Sequence, residues 1–138
     1  MIFIFGPLYS GKRAAAMDLL GCDRLELSRR AVWDVQNLAA DTAADQTPDA
    51  LAALADRLAQ YDAVIATETG GGVVPVEARE RAAREAAGRL NVLLAKRAEA
   101  VVRVFCGIPV LLAGKLPEAG TASLEGTASP EGTASLEA

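Results

Sequence analysis

The chain has 138 residues, half of them apolar, and carries 14 basic and 18 acidic side chains for a net charge of −4. This length closes one hydrophobic core, and an acidic balance without a basic cluster argues against a nucleic-acid partner. The N-terminal apolar run is too short for a signal sequence, and we therefore expect a cytoplasmic protein with no membrane span.

The sequence contains no histidine. This excludes a Ser-His-Asp triad, a phosphohistidine or nucleotidyl-histidine intermediate and any imidazole metal site, since each requires that ring. Cys22 and Cys106 are the two cysteines, and they lack the spacing of a disulfide framework or a zinc site. We interpret both as reduced thiols with a packing role.

The N-terminal residues predict a strand followed by a helix. Ile2 to Phe5 is a continuous apolar run closed by Gly6, which is typical of a strand covered on both faces in a parallel sheet. Lys12 to Leu20 carries the apolar stripe of a helix, and Gly21 is a helix stop signal.

The next segment is ambiguous in its periodicity. Within Asp23 to Ala40, Leu25 and Leu27 alternate, and we predict a short strand or turn there, followed by a helix. Asp41 to Asp49 is polar and is predicted as a loop, from which Pro48 begins a further helix with leucines at helical spacing.

The second half of the chain alternates strands and helices again. Tyr61 to Thr67 predicts a buried strand that leads into the flexible glycines Gly70 to Gly72, and Glu77 to Ala98 predicts a long amphipathic helix. Val101 to Cys106 is predicted as the last core strand. This alternation indicates an α/β fold with a small, mainly parallel sheet flanked by helices.

The C-terminal tail repeats every six residues from Gly120 onward. Small polar residues with one leucine in most units bury too little apolar surface to order the chain, and three imperfect turns are too few for a β-helix. We therefore predict one folded domain over residues 1–117 and a disordered tail over residues 118–138.

The residues between the first strand and the first helix match a phosphate-binding loop. Gly6-x4-Gly11-Lys12-Arg13 follows the pattern G-x-x-x-x-G-K-[ST], in which glycines turn backbone N–H groups toward a phosphate and the lysine bridges the outer phosphates. The alternative is a glycine-rich turn without a ligand. A P-loop NTPase or kinase sheet is therefore predicted, and its nucleotide-binding residues are Gly6, Pro7, Leu8, Tyr9, Ser10, Gly11, Lys12 and Arg13.

Arg13 departs from this pattern, because it stands where a Ser or Thr hydroxyl would bind Mg²⁺ and a guanidinium cannot ligate a cation. Three interpretations stay open. Mg²⁺ is held by substrate, water and carboxylates alone, or Arg13 neutralises phosphate charge directly, or catalysis has been lost and only anion binding remains. The predicted ligand is a nucleotide, with Mg²⁺ as the cofactor of the first interpretation.

Glu68 follows a predicted buried strand, at the place from which an acidic residue in a P-loop protein reaches the metal or polarises the acceptor hydroxyl. A carboxylate at a strand end is also a common helix cap or solvated loop residue. We predict Lys12 and Glu68 as the catalytic pair, since phosphoryl transfer depends mainly on positioning and charge stabilisation.

Several segments resemble one known family. Thr67 to Pro75 reads T-E-T-G-G-G-V-V-P, Gly88 to Asn91 reads G-R-L-N, and Cys106 to Pro109 reads C-G-I-P. They are similar to the N-E-x-G-x-G-I-V-P, G-R-x-N-Q and S-G-[IL]-P segments of the adenosylcobinamide kinase/adenosylcobinamide-phosphate guanylyltransferase family. The family's G-G-x-x-S-G-K-S loop aligns with Gly6 to Arg13, and Trp33 to Leu38 resembles its W-x-x-N-L segment.

The resemblance implies a P-loop kinase-like sheet, often assembled as a trimer, and a role in cobalamin biosynthesis. Family members phosphorylate the aminopropanol hydroxyl of adenosylcobinamide with ATP or GTP, then transfer GMP through a covalent histidine intermediate. The missing histidine removes that second step. The partners implied are nucleotide and corrinoid, and a small core with an exposed helix predicts a homo-oligomer.

Two functions of different classes follow from these patterns. The first is a shortened cobinamide kinase that uses Lys12, Arg13 and Glu68. The second is a catalytically degenerate nucleotide- or corrinoid-binding regulator or scaffold, which Arg13 and the missing histidine favour. A generic small-molecule P-loop kinase is a third and more distant interpretation.

Overall fold

The structure is a computed structural model that describes residues 1–42, 47–69 and 74–118. The described residues form five strands and five helices. In chain order the elements are β1 Ile2–Gly6, α1 Lys12–Leu20, α2 Arg24–Arg30, β2 Ala31–Val32, α3 Val35–Thr42, α4 Pro48–Leu58, β3 Ala63–Thr67, α5 Ala78–Arg97, β4 Ala100–Phe105 and β5 Ile108–Gly114.

The strands form one sheet in the order β2-β3-β1-β4-β5. The first four strands pair in parallel and β5 pairs antiparallel to β4, so the α/β fold with a mainly parallel sheet is confirmed. β1 lies at the centre, with Ile2 opposite Ala63 of β3 on one side and Ala100 of β4 on the other. The carboxyl ends of these three strands therefore meet at one edge, where ligands bind in open α/β sheets.

Helices cover both faces of the sheet. Alternate residues of each strand point to opposite faces, and the buried side chains separate into two clusters accordingly. One cluster joins Phe3 of β1 to α3, α4 and α5, and the other joins Ile4 to α1 and α2. In the described residues no helix is long and apolar enough to cross a membrane.

Four predicted elements, β1, α1, β3 and α4, match the structure closely. β1, α1 and β3 form where their patterns placed them, although β3 begins at Ala63 rather than Tyr61. Gly21 ends α1 with a left-handed φ of 62°, and its N–H donates to the Asp18 carbonyl. α4 begins at Pro48, where Thr47 accepts a hydrogen bond from the Ala50 N–H at 3.3 Å.

The prediction of a strand or turn around Leu25 and Leu27 was wrong, because this segment is helix α2. The Asp23 side chain caps the helix by accepting from the Glu26 N–H at 2.8 Å. Only Leu27 is buried, while Leu25 is 63% exposed, so the apparent alternation reflects one inward and one outward helical position. The true strand is the two-residue β2.

The last core strand was also placed incompletely, since β4 is followed by β5 in a hairpin that the pattern did not predict. Cys106 and Gly107 form its turn with φ values of 53° and 76°. Pro109 disfavours a central strand, but β5 is an edge strand, where proline is tolerated. Cys106 is exposed in this turn, which corrects its predicted packing role, whereas Cys22 packs against the core.

Other predictions fall partly outside the described residues. Asp41 and Thr42 belong to α3 rather than to the predicted loop, and residues 43–46 are not described. The predicted flexible glycines at 70–72 and the tail from residue 119 likewise lie outside the described residues.

Candidate nucleotide-phosphate site

The loop predicted to bind phosphate connects β1 directly to α1. Gly11 is the last residue before the helix and has a φ of 87° and a ψ of 26°, a left-handed conformation that strains any residue with a Cβ. The Ser10 N–H donates to the Pro7 carbonyl at 3.3 Å, which closes the loop into a compact turn. The carbonyl of Gly11 accepts from the Ala15 N–H at 3.0 Å and starts the helix. The N-terminus of α1 is thereby aimed over the loop, as anion binding requires.

Backbone hydrogen bonds fix this loop to the edge of the sheet. The Gly6 carbonyl accepts from the Glu68 N–H at 2.9 Å, and the Ser10 carbonyl accepts from the Gly107 N–H at 2.8 Å. Gly6 lies so close to β4 that a Cβ there would come within 2.2 Å of the Val104 carbonyl oxygen. The loop is therefore held on both sides of β1 and has little freedom to move away from the sheet.

Lys12 is buried under the loop with only 8% of its surface exposed. Its Nζ donates to the Pro7 carbonyl at 2.6 Å. Burial lowers the pKa of Lys12, an effect that the nearby Asp34 and then Glu68 oppose and that Arg13 reinforces. The ammonium is thus only partly compensated, and an incoming phosphate would supply the missing negative charge.

A cavity of about 520 Å³ opens beside the loop and α1. Ser10 stands in its wall, and among the described residues its buried Oγ has no hydrogen-bond partner. A phosphate oxygen or a water molecule would satisfy such a group. The lining residues are Leu8, Tyr9, Ser10, Gly11, Lys12, Arg13, Ala14, Trp33, Asp34, Ile65 and Thr67.

Arg13 lies across this cavity on an aromatic ring. Its guanidinium carbon is 5.4 Å from the centre of the Trp33 ring, within the range of a cation–π contact. Arg13 thereby adds positive charge to the rim of the cavity, beside Lys12. It brings no oxygen to the position where the loop pattern would place a hydroxyl.

The side chains that line the cavity suit a divalent cation that is already bound to nucleotide phosphates and water. Among the described residues there is no group of three or more His, Cys, Asp or Glu side chains that would hold a metal by itself. Mg²⁺ in proteins usually keeps several waters and binds through one or two carboxylates together with substrate phosphates. Asp34 brings one carboxylate to the cavity, so the residues present fit this ion in the company of a nucleotide.

The predicted carboxylate, Glu68, belongs to the opposite face of the sheet. Along β3, Ile65 and Thr67 line the cavity beside the loop, whereas Val64 and Ala66 pack in the cluster under α3, α4 and α5. Glu68 is the first residue after β3, and it lines a cavity on the side of α3 and α5. Lys12 and Glu68 both lie at the carboxyl edge of the sheet, but the structure does not bring Glu68 into the cavity around Lys12.

Glu68 is engaged by an arginine of the neighbouring strand β4. The Arg103 Nε and Nη2 donate to the two carboxylate oxygens at 2.8 and 3.2 Å, a bidentate pair that raises the pKa of Arg103. Glu68 also lines a second cavity of about 380 Å³ between α3 and α5, together with Gln36, Asn37, Ala40, Thr69, Glu80, Ala83, Arg84 and Ala87. This cavity adjoins the strand ends from the face opposite α1.

Sequence reasoning did not assign Trp33, Asp34 or Arg103 to the site, although Trp33 to Leu38 was noted for its resemblance to a family segment. Asp34 lies two residues beyond the end of β2, so the rule that singled out Glu68 at a strand end would have found it had β2 been located. Its φ of 57° is left-handed, which asparagine and aspartate tolerate better than most residues. Arg103 was hidden inside a strand pattern that is otherwise apolar.

The similarity to known proteins agrees with this architecture. A sequence model of the family "Cobinamide kinase / cobinamide phosphate guanyltransferase" matches residues 27–112, well over half of the chain. The match includes Trp33, Asp34, Glu68 and Arg103, and it begins after the phosphate loop. No curated protein matches the chain. On the strength of this match over residues 27–112, the chain belongs to the cobinamide kinase / cobinamide phosphate guanyltransferase family, whose members act in cobalamin biosynthesis.

Proposed function

We propose that this protein binds ATP or GTP through Gly6 to Arg13 and transfers the γ-phosphate to the aminopropanol hydroxyl of adenosylcobinamide. The observation that carries the proposal is the loop itself. Lys12 is buried beneath a left-handed glycine turn at the N-terminus of α1, next to a cavity of about 520 Å³. Membership of the cobinamide kinase family supplies the class of acceptor.

Each loop residue would have a distinct part in the reaction. The backbone N–H groups before α1 and the helix N-terminus would hold the phosphates, and Lys12 would leave the Pro7 carbonyl to bridge the outer phosphates. Arg13 would add charge to the transferring group from its place on Trp33. Mg²⁺, arriving with the nucleotide, would neutralise charge on the outer phosphates.

Glu68 is proposed to serve the acceptor rather than the phosphates. Its position in the cavity between α3 and α5, on the opposite face from α1, supports a contact with the acceptor hydroxyl. The bidentate pair with Arg103 would fix the direction of the carboxylate. In this arrangement the hydroxyl would approach the phosphate across the end of β1, and Glu68 would accept or orient its proton.

The guanylyl half of the family's chemistry is proposed to be absent from this chain. Transfer of GMP through a histidine intermediate needs an imidazole nucleophile, and the sequence contains no histidine. The product of the proposed reaction is therefore adenosylcobinamide phosphate.

The test is transfer of labelled γ-phosphate from ATP and from GTP to adenosylcobinamide, with products separated by chromatography. Lys12→Ala should abolish the transfer. The control Arg57→Ala, which also removes a positive charge but in the last turn of α4, should leave the transfer intact. The proposal is contradicted if wild-type protein binds nucleotide but forms no labelled corrinoid at any nucleotide or Mg²⁺ concentration.

That contradictory result would favour the second candidate, a nucleotide- or corrinoid-binding regulator or scaffold. Two observations support this alternative. Arg13 replaces the hydroxyl of the loop pattern, and Arg103 already occupies both carboxylate oxygens of Glu68.

Self-association is proposed to occur through strand β5. Ile108, Val110 and Leu112 are each about half exposed on this edge strand. An exposed apolar edge offers both backbone hydrogen bonds and apolar surface to a second copy. Light scattering on the purified protein tests this, and a monomer at all concentrations would contradict it.

A further inference from the structure

The cavity beside the loop Gly6 to Arg13, which is the proposed phosphate cavity, contains a carboxylate whose role the predicted catalytic pair does not explain. Asp34 lines the cavity directly, while Glu68 lies in the other cavity and is paired with Arg103. Asp34 also raises the pKa of Lys12 more strongly than Glu68 does. Of the two carboxylates, Asp34 therefore has the stronger electrostatic effect on Lys12.

Asp34 is held in this position by the fold. It lies between β2 and α3 in a left-handed conformation with a φ of 57°. The preceding residue, Trp33, packs against the α1 and α2 side of the core and carries Arg13 on its ring. The side chain before Asp34 and the backbone at Asp34 both fix where the chain turns, so the carboxylate is presented at the mouth of the cavity.

The cavity lacks the oxygen that a phosphate loop normally offers to a cation. Arg13 occupies the position of the hydroxyl, and its guanidinium stays on the indole of Trp33. A cation that accompanies a nucleotide would thus receive phosphate oxygens and water, and would need an anionic oxygen from elsewhere in the protein. Among the described residues that line the cavity, Asp34 is the one carboxylate.

We propose that Asp34 is the residue that binds the Mg²⁺ of the nucleotide, directly or through a water ligand, in place of the missing hydroxyl at position 13. This inference rests on the proposed function, since it assumes that a nucleotide enters the cavity. It gives the two carboxylates different roles, because Asp34 serves the metal and the phosphates on the α1 face while Glu68 serves the acceptor on the α5 face.

The test is a titration with ADP, with and without Mg²⁺, so that no phosphate is transferred. Trp33 is the only tryptophan in the chain and lines the cavity, so its fluorescence reports binding directly. Mg²⁺ should strengthen ADP binding in the wild-type protein. Asp34→Asn, which tolerates the left-handed backbone, should weaken that enhancement about tenfold or more, while binding of metal-free ADP stays equal or becomes tighter.

Two further carboxylates provide the comparison. Asp41→Asn removes the same charge from an exposed position on α3 and should leave the Mg²⁺ enhancement unchanged. Glu68→Gln should also leave it unchanged. If the enhancement follows Glu68 instead, or is the same in Asp34→Asn as in wild type, the inference is overturned.

A rescue experiment separates a ligand role from a structural one. Arg13→Ser restores the hydroxyl of the loop pattern, and in the double variant with Asp34→Asn it should recover most of the Mg²⁺ enhancement. A loss caused by disturbed folding around Asp34 would not be recovered by a hydroxyl at position 13. Asp34→Gly, which keeps the left-handed backbone, should behave like Asp34→Asn; wild-type enhancement in either would contradict the proposal.

The outcomes distinguish this inference from the function on which it rests. Absence of ADP binding to wild-type protein, with and without Mg²⁺, contradicts the proposed function and the inference together. ADP binding with an Mg²⁺ enhancement that is indifferent to Asp34 contradicts the inference alone.

Discussion

Replacing Gly6 by alanine tests how tightly the phosphate loop is seated on the sheet. The added Cβ would come within 2.2 Å of the Val104 carbonyl oxygen, whereas ordinary contacts begin at 3.4 Å. The obstacle is backbone of the buried strand β4, so β1 or β4 must shift by about an ångström. Overpacking of this kind costs about 2–3 kcal/mol, which lowers the melting temperature by about 10 °C in a domain of this size.

The matched control is Gly88→Ala, the same chemical change in the middle of α5. A Cβ there meets nothing within 4 Å, and alanine favours a helix over glycine by about 1 kcal/mol. Thermal unfolding followed by circular dichroism should therefore move in opposite directions for the two variants. Nucleotide affinity should fall in Gly6→Ala only, because the loop moves with β1. Equal melting temperatures for Gly6→Ala and wild type would refute the close approach of β1 and β4.

Four further predictions concern single side chains. Burial lowers the pKa of Lys12, and a bound phosphate would raise it. Nucleotide affinity should therefore be constant at neutral pH and fall as the pH approaches 10.5. Lys12→Arg should flatten this pH profile in binding titrations. Arg13→Ser should increase the Mg²⁺ dependence or the rate of phosphate transfer in initial-rate assays, and an unchanged rate would make Arg13 incidental. Glu68→Gln should lower kcat about a hundredfold while nucleotide affinity stays within about twofold, and a parallel loss of affinity would contradict an acceptor role. Val110→Lys should reduce the mass measured by light scattering if β5 mediates self-association, and an unaltered mass would exclude that edge.

The sequence alone was sufficient for the centre of the fold and for the turn between β1 and α1. β1 is a wholly apolar run because the central strand is covered on both faces, and α1 has a clear stop at Gly21. Both signals are local, so neither needed knowledge of distant contacts. The same holds for α5, a helix of 20 residues that buries Ala86, Ala87, Leu90 and Leu94.

The missed parts had one local signal and otherwise depend on pairing between strands. Leu25 and Leu27 alternate like a strand, but the Asp23 side chain caps a helix by accepting from the Glu26 N–H three residues on, a local signal that was overlooked, and Leu27 packs in the core. β5 is an apolar run that forms an antiparallel pair with β4, although Pro109 within it disfavours a central strand. Reading the Leu25 to Leu27 segment as a strand or turn concealed β2, and with it the position of Asp34.

The face on which a residue lies was the limiting information for the site. Glu68 was correctly placed at the carboxyl edge of the sheet, but its carboxylate accepts from Arg103 and lines the cavity between α3 and α5. Thr67 lines the cavity beside Lys12, whereas the next residue, Glu68, does not. Strand ends predict the edge of a site, and only the register decides which cavity each side chain enters.

The central claim, that Gly6 to Arg13 binds nucleotide phosphates, is tested most directly by unfolding the protein at increasing nucleotide concentrations. A ligand at about a hundred times its Kd stabilises the folded state by about 2.7 kcal/mol. Wild-type protein should gain stability with ATP or GTP in this manner, and Lys12→Ala should gain little or none. A melting temperature of the wild-type protein that is indifferent to both nucleotides, with and without Mg²⁺, would contradict the claim.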